Sequence, residues 1–376
     1  MVVAEWDGLD DDGRAFLSAA LGAPTAEPGP TPESPAAPAP STAAPAAHRL
    51  LGLFELAEKL GASDVHVSVG SSPHLRVRGE LRPVREFGPL VASEIESFVT
   101  SLLSPSQLTT LRAGGDLDAA LLIAVGARLL RIRASVFIQS GTLAAAFRLI
   151  ATQIPAIEEL GLPQIVRRFA DLDHGLVLVT GRTGSGKSTT LASMIETINR
   201  SRASHIVTVE DPIEFQYVPR HAVIQQREVG VDTKSFSIAL RHALRQDPDV
   251  ILLGELRDLE TIRTALTAAE TGHLVLATLH SGDTAGAIHR LIDVFPADQQ
   301  TQIRSQLALS LQGILSQSLE RVGDRFVPIT EVLVATGAVR NLIRDDKVHQ
   351  LRSVIETGAD EGMHTMEQSR ALVPSW

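Results

Sequence analysis

Residues 176–199 read LVLVTGRTGSGKSTTLASMIETIN. A short apolar run enters a glycine-rich turn, and a run with helical spacing leaves it. The turn consists of Gly181, four residues, then Gly186, Lys187 and Ser188, the complete phosphate-binding P-loop pattern in its strand–loop–helix setting. Glycines let backbone N–H groups turn toward phosphate oxygens, and the N-terminus of the following helix adds partial positive charge. In this pattern the lysine reaches the β- and γ-phosphates and the next hydroxyl ligates Mg2+, which assigns Lys187 and Ser188. Gly181, Thr183, Gly184, Ser185, Gly186 and Thr189 complete the candidate ATP-binding set. A flexible glycine loop alone does not account for the Lys-Ser pair.

Working outward, short runs rich in Val, Ile and Leu recur at HIVTVE (205–210), DVILLGE (249–255) and HLVLATLH (273–280), separated by helical stretches. That texture predicts an α/β class with a parallel central sheet buried on both faces, carried by a P-loop NTPase domain over 176–376. Residues 300–319, QTQIRSQLALSLQGILSQSL, place Ile303, Leu307, Leu311 and Ile314 on one stripe and predict a single long helix.

A P-loop enzyme needs a second strand whose end presents an acid to metal and water. DVILLGELRD (249–258) supplies it with Glu255 at the tip; the competing reading is a capping glutamate before the helix LETIRTALTAAE. HIVTVEDPIEF (205–215) groups Glu210, Asp211 and Glu214. Such a cluster is either compensated by a nearby cation or is solvated surface. In TGHLVLATLHS (271–281), a strand over 274–279 sets His273 and His280 about 23 Å apart, too far to share a metal. His280 falls at the carboxyl end of its strand, where ligands of open α/β sheets gather, within reach of a γ-phosphate. His273 follows Gly272 at the C-cap of the preceding helix, where a purely structural role is the plainer reading.

The N-terminal part has a different texture. Residues 22–47 hold eight of the chain's 20 prolines and no large apolar side chain, which predicts an extended Ala/Pro-rich linker. Before it, residues 1–21 form a tail with one possible short amphipathic helix. From 48, LLGLFELAEKLGA reads as a helix, and DVHVSVG, HLRVRGEL and RLLRIRASVF alternate as half-exposed strands. These predict a small α+β domain over 48–150, with 151–175 connecting it to the P-loop domain. The chain has 376 residues, 44% of them hydrophobic, and a net charge of −10. The acidity argues against broad nucleic-acid binding, as does an aromatic content of 4%, too low for base-stacking platforms. No cysteine is present, which excludes disulfides and thiolate zinc sites. No apolar run approaches the roughly 20 residues of a membrane span, and the acidic N-terminus is unlike a secretion signal. A cytoplasmic setting is expected.

The P-loop, VEDPIE, GELRD and TGHLVLATLH stand in that order, and together they resemble the secretion-ATPase superfamily that powers type II secretion and type IV pili. There the four are called Walker A, Asp box, Walker B and His box. The resemblance spans roughly 48–366, and LGASDVHVSVGSSPHLRVRGEL is similar to the start of the family's PAS-like N-terminal domain. AVRNLIRDDK (338–347) and GMHTMEQS (362–369) resemble the PilT-type retraction branch in particular. The resemblance implies a RecA-like ATPase domain, ATP with Mg2+, and a homo-hexameric ring with nucleotide at subunit boundaries. It also implies Glu255 as catalytic base and roles for Glu210, Asp211, Glu214, His280 and His273. Arginines of the N-terminal domain would reach the phosphates; Arg133 and Arg148 match by position, with surface ion pairs as the alternative. Arg241 and Arg245 are weaker matches of the same kind. The load would be an inner-membrane pilus platform protein, contacted peripherally at the cytoplasmic face. Arg182 stands where the family usually has proline, and the first 47 residues have no counterpart in short-headed retraction motors.

Three functions follow as expectations. The first is an ATP-hydrolysing motor that retracts pili in twitching motility. The second is a motor for pilus extension or type II secretion, where extension motors usually carry a four-cysteine zinc insert that a cysteine-free chain lacks. The third is a nucleotide-regulated binding protein with little hydrolysis.

Overall fold

A computed structural model describes residues 45–372, apart from 78, 115, 126–127, 151–153 and 324. The tail expected over 1–21, and the linker expected over 22–47 as far as residue 44, lie outside the described residues. Helical structure begins at Pro45, three residues inside that linker range, with proline in the first turn where its missing N–H has no intrahelical partner to lose.

The first layer comprises α1 (Pro45–Lys59), β1 (Ala62–Val67), β2 (His74–Val77), β3 (Glu80–Pro83), α2 (Ala92–Leu102), α3 (Pro105–Arg112), β4 (Leu117–Val125), β5 (Arg128–Gln139) and β6 (Thr142–Leu149). Its six strands pair antiparallel in the order β3-β2-β1-β6-β5-β4. One face alternates inward, as in β4, where Leu117, Ala119, Ile123 and Val125 are buried while Leu122 is exposed. Phe54 of α1, Phe98 of α2 and Phe147 of β6 meet at the centre of this core, with ring centroids 5.3 to 5.8 Å apart in tilted and edge-to-face arrangements.

The second layer follows with α4 (Ile165–Ala170), β7 (Gly175–Thr180), α5 (Lys187–Ser201), β8 (His205–Glu210), β9 (Val223–Glu228), α6 (Phe236–Ala243), β10 (Val250–Leu253), α7 (Leu259–Glu270), β11 (Leu274–Leu279), α8 (Thr284–Asp293), α9 (Ala297–Ser310), β12 (Leu311–Val322), β13 (Arg325–Val334), α10 (Gly337–Arg344), α11 (Leu351–Thr357) and α12 (Met366–Ala371). Its sheet order is β13-β12-β7-β11-β10-β8-β9, with only edge strand β13 antiparallel to its neighbour. Every residue of β7, β10 and β11 is buried, because helices cover both faces. One core lies against α6 to α11, and the other against α4 and α5. The α/β class and the parallel sheet are therefore as the sequence predicts.

The long helix expected over 300–319 is not. Helix α9 ends at Ser310, and Leu311–Val322 runs as β12 beside β7. Leu311 and Ile314 are buried like Ile303 and Leu307, so their helical spacing is incidental. A strand buried on both faces has no alternation to betray it. Gly313 holds this strand against α4, since a Cβ there would meet the Phe169 ring at 2.1 Å.

The two C-terminal motifs pack onto the same region. Arg340 of α10 donates to Ala308 O and Leu309 O at 2.6 and 2.8 Å, closing the end of α9. The segment 362–369 lies along β13, with Val332 N donating to His364 O at 2.9 Å and Thr330 N to Ser369 Oγ at 3.1 Å. Among the described residues, no helix is long and apolar enough to cross a membrane.

Candidate functional site

The parallel strands β7, β11, β10 and β8 lie side by side, so the segments leaving their carboxyl ends meet along one edge of the sheet. The glycine loop leaves β7. Its first glycine, Gly181, has φ 146° and sits so close to β12 that a Cβ would lie 2.2 Å from Gln317 O. The last, Gly186, is left-handed and caps α5. Lys187, only 8% exposed, turns back over the loop and donates to Gly181 O at 2.9 Å and Arg182 O at 3.0 Å. Burial lowers the pKa of its ammonium, while Glu214 and Glu255 pull the other way.

Glu210 closes β8. Its Oε1 accepts from Thr208 Oγ1 at 2.6 Å and from Gln226 Nε2 at 3.4 Å. Burial pushes its carboxyl up to about 6, against the pull of those hydrogen bonds. Gly254, at the end of β10, packs against Glu210 with room for little more than a hydrogen, since a Cβ would approach Glu210 Cα at 3.3 Å. Glu255 is the next residue, and it lines the same cleft as Glu210. Glu255 is buried; its Oε1 lies 2.5 Å from Arg257 Nε, and its Oε2 lies 3.5 Å from His280 Nε2 with no hydrogen-bond donor of its own among the described residues. His280 follows β11 directly, and burial, assisted by Lys187, lowers its pKa.

These groups face a cleft of about 580 Å3. Of the residues expected from sequence, Thr183, Gly184, Gly186, Lys187, Ser188 and Thr189 line it from the loop, and Glu210, Asp211, Glu214, Glu255 and His280 line it from the other strand ends. Gly181 and Ser185 form the back of the loop instead. His273 is elsewhere. It sits at the opposite end of β11, its N–H donating to Ala268 O at 3.1 Å in a Schellman closure of α7 around Gly272, with Nδ1 3.0 Å from the same carbonyl. Arg148 and Arg133 are also outside the cleft. They stand opposite each other on β6 and β5, and Arg148 Nε bonds Asp64 Oδ1 at 3.0 Å, the ion-pair alternative for that residue. Arg241 pairs with Glu260 at 3.0 Å.

Sequence reasoning passed over Arg257, Thr278 and Phe215, which also line the cleft. Arg257 lies inside the GELRD motif, two residues past Glu255, so its charge was visible while its partner was not. Also passed over was Arg131 of β5, which reaches across to Glu228 Oε2 at 3.4 Å. Glu228 in turn accepts from Ile213 N at 3.3 Å within the acidic loop.

The arrangement suits a polyanion carrying its own cation. A buried ammonium, a helix N-terminus and loop amides meet at one side, and carboxylates at the other. Among the described residues no three His, Cys, Asp or Glu side chains form a metal-binding group. In the P-loop pattern a divalent ion is held by the hydroxyl after the lysine, here Ser188, together with the oxygens of a bound phosphate.

The Glu210 carboxyl gives a pH-dependent consequence. Its pKa in the folded chain lies above its ordinary value of 4.5, so the folded state keeps a proton that the unfolded chain has lost, and stability falls as pH rises from 4.5 through about 6. The difference corresponds to about 2 kcal/mol at neutral pH. Glu210→Gln is therefore expected to raise the melting temperature of the nucleotide-free protein near pH 7.5 distinctly more than near pH 5, read by calorimetry at both values. An equal effect at the two values would show that burial does not govern this carboxyl.

Comparison with known proteins agrees with this geometry. The family described as type II/IV secretion system protein matches residues 44–373. The type IV pilus retraction ATPase PilT of Pseudomonas aeruginosa is 45% identical over 316 residues, covering 84% of this chain and 91% of that protein. A twitching motility protein of Neisseria gonorrhoeae is 44% identical over 300 residues, 79% of each chain. A crystal structure of the pilus retraction motor PilT with bound ADP superposes with a TM-score of 0.77 at 44% identity, covering 85% of this chain and 91% of that one.

Proposed function

The chain belongs to the type II/IV secretion system protein family, and from that premise we propose that it is an ATP-hydrolysing motor that retracts type IV pili. The observation that carries this reading is the identity to a retraction ATPase over 84% of this chain and 91% of that protein, joined to a cleft in which the P-loop faces Glu210, Glu255 and His280.

In this reading the loop N–H groups and Lys187 grip the phosphates of ATP, and Ser188 would hold a Mg2+ ion, which would supply neutralising charge to the phosphates. Glu255 orients the attacking water and accepts its proton on Oε2, the buried oxygen with no donor among the described residues. Arg257 on its other oxygen fixes the carboxylate's orientation. His280 stands where it can contact the γ-phosphate. Glu210, Asp211 and Glu214 complete the acidic side of the cleft, where they would face a cation held with the phosphates.

The working assembly is a homo-hexamer. The antiparallel layer over 48–150 is a PAS-like domain and 176–376 a RecA-like ATPase domain, joined through 151–175, and hydrolysis rotates one against the other. Arg133, Arg148 and His273, remote from the cleft of their own subunit, are left to act at a neighbour's. The motor works in the cytoplasm, bound peripherally to an inner-membrane platform protein that bears the load.

Deleting the gene and counting surface pili tests the direction of the motor. Excess pili that never shorten, with loss of twitching, are the expected result. Bald cells would assign the chain to extension instead.

A further inference from the structure

We propose that Gln317 of β12 is a positioning residue for the phosphate loop: its side-chain amide sets the orientation of the Ser185–Gly186 peptide. This inference rests on reading the cleft as an ATP site.

Gln317 is 4% exposed and lies directly behind the loop. Its Nε2 donates to Ser185 O at 2.7 Å. Its Oε1 accepts from Thr190 Oγ1, a buried hydroxyl on α5, at 2.8 Å. The Ser185 carbonyl can only accept, so it decides which end of the amide faces the loop: turned over, Oε1 would meet Ser185 O and that bond would be lost. The Thr190 hydroxyl on the other end holds the amide in place.

The consequence for the ligand side follows from peptide geometry. The Ser185–Gly186 bond is trans, so its C=O and N–H point in opposite directions. With Ser185 O drawn back toward Gln317, the Gly186 N–H points forward, to the face of the loop that lines the cleft. That N–H stands next to Lys187, where the second phosphate of a nucleotide would rest. Gly186 records the same contact: a Cβ there would lie 2.8 Å from Gln317 Nε2, whereas one on Gly181 would lie 2.2 Å from the backbone carbonyl oxygen of Gln317. Gly186 thus leaves room for the side-chain amide, and Gly181 for the strand itself.

The contact belongs to the sheet's topology rather than to the loop. Strands β7 and β12 run parallel with Thr180 beside Ser316, which leaves Gln317 level with Gly181. A helix over 300–319 would carry this amide away from the loop, so the role is invisible until the strand is known.

The test compares wild type with Gln317→Met, which keeps length and removes both polar groups, and with Thr190→Val, which keeps shape and removes the anchor on the far end of the amide. Binding is read as the ratio of affinities for ADP and AMP by competition against a fluorescent ADP analogue. Losing one oriented N–H is expected to weaken ADP binding about tenfold in Gln317→Met, and a few-fold in Thr190→Val, with AMP nearly unchanged because it lacks the second phosphate. The double variant should bind no more weakly than Gln317→Met alone, since both act through one amide. A general loosening of the fold would weaken both nucleotides together. If wild type binds ADP and both variants keep its ADP-to-AMP ratio, the inference is overturned. If wild type binds no ADP, the nucleotide reading itself fails first.

Discussion

Lys187→Ala is expected to abolish nucleotide retention and turnover together, and to erase the rise in melting temperature that ADP gives the wild-type protein. The side chain is buried and its ammonium is already held in the loop by two carbonyls, at 2.9 and 3.0 Å. A small movement suffices to exchange those for phosphate oxygens. Charge-assisted hydrogen bonds contribute about 1.5–3 kcal/mol each. Losing two of them to a polyphosphate therefore weakens binding by about 10^3-fold. Without nucleotide the variant should still fold, at some cost in stability because the buried Gly181 O loses its donor. A ligand present at 100 times its Kd adds about 2.7 kcal/mol to stability, so the missing thermal shift is easily read. If ADP stabilises Lys187→Ala as strongly as wild type, the loop is not the phosphate site.

How far the site was legible in the sequence depends on where each residue's contacts come from. The P-loop is a local motif: Gly181 to Thr189 are fixed by backbone conformation and the adjoining strand and helix, and all of that is written in one stretch. Glu210, Glu255 and His280 were legible for a different reason. Each ends an apolar run, and parallel strands in one sheet necessarily present their carboxyl ends along one edge. Cross-chain partners left no such signal. Gln317 behind the loop and Arg131 on Glu228 depend on strand order and register. His273 shows the opposite case, a residue whose local signal, Gly272 at φ 111°, described its surroundings correctly. The misreading of 311–319 as helix arose because both-face burial leaves apolar residues at every spacing, the helical one included.

Glu255→Gln is expected to leave ATP binding close to wild type and to cut turnover by about 10^3-fold, within the range a positioned general base contributes. The substitution keeps the side chain's volume and an oxygen for Arg257, so the cleft should hold its shape. What it removes is the negative charge and the basicity of Oε2, the oxygen that has no donor among the described residues. A buried carboxylate oxygen without a donor costs stability, and a water molecule readied for attack would be its natural partner. Glu255→Asp separates position from charge. It keeps the carboxylate but withdraws it by one methylene from both Arg257 and the water, so it should be impaired yet faster than the glutamine variant. A single-turnover assay with pre-bound ATP reads hydrolysis apart from product release. If Glu255→Gln hydrolyses pre-bound ATP at the wild-type rate, the proton is accepted elsewhere. The next candidate is Glu210, a buried carboxyl at the same edge raised to about 6 by burial, and the same assay on Glu210→Gln would then decide between them.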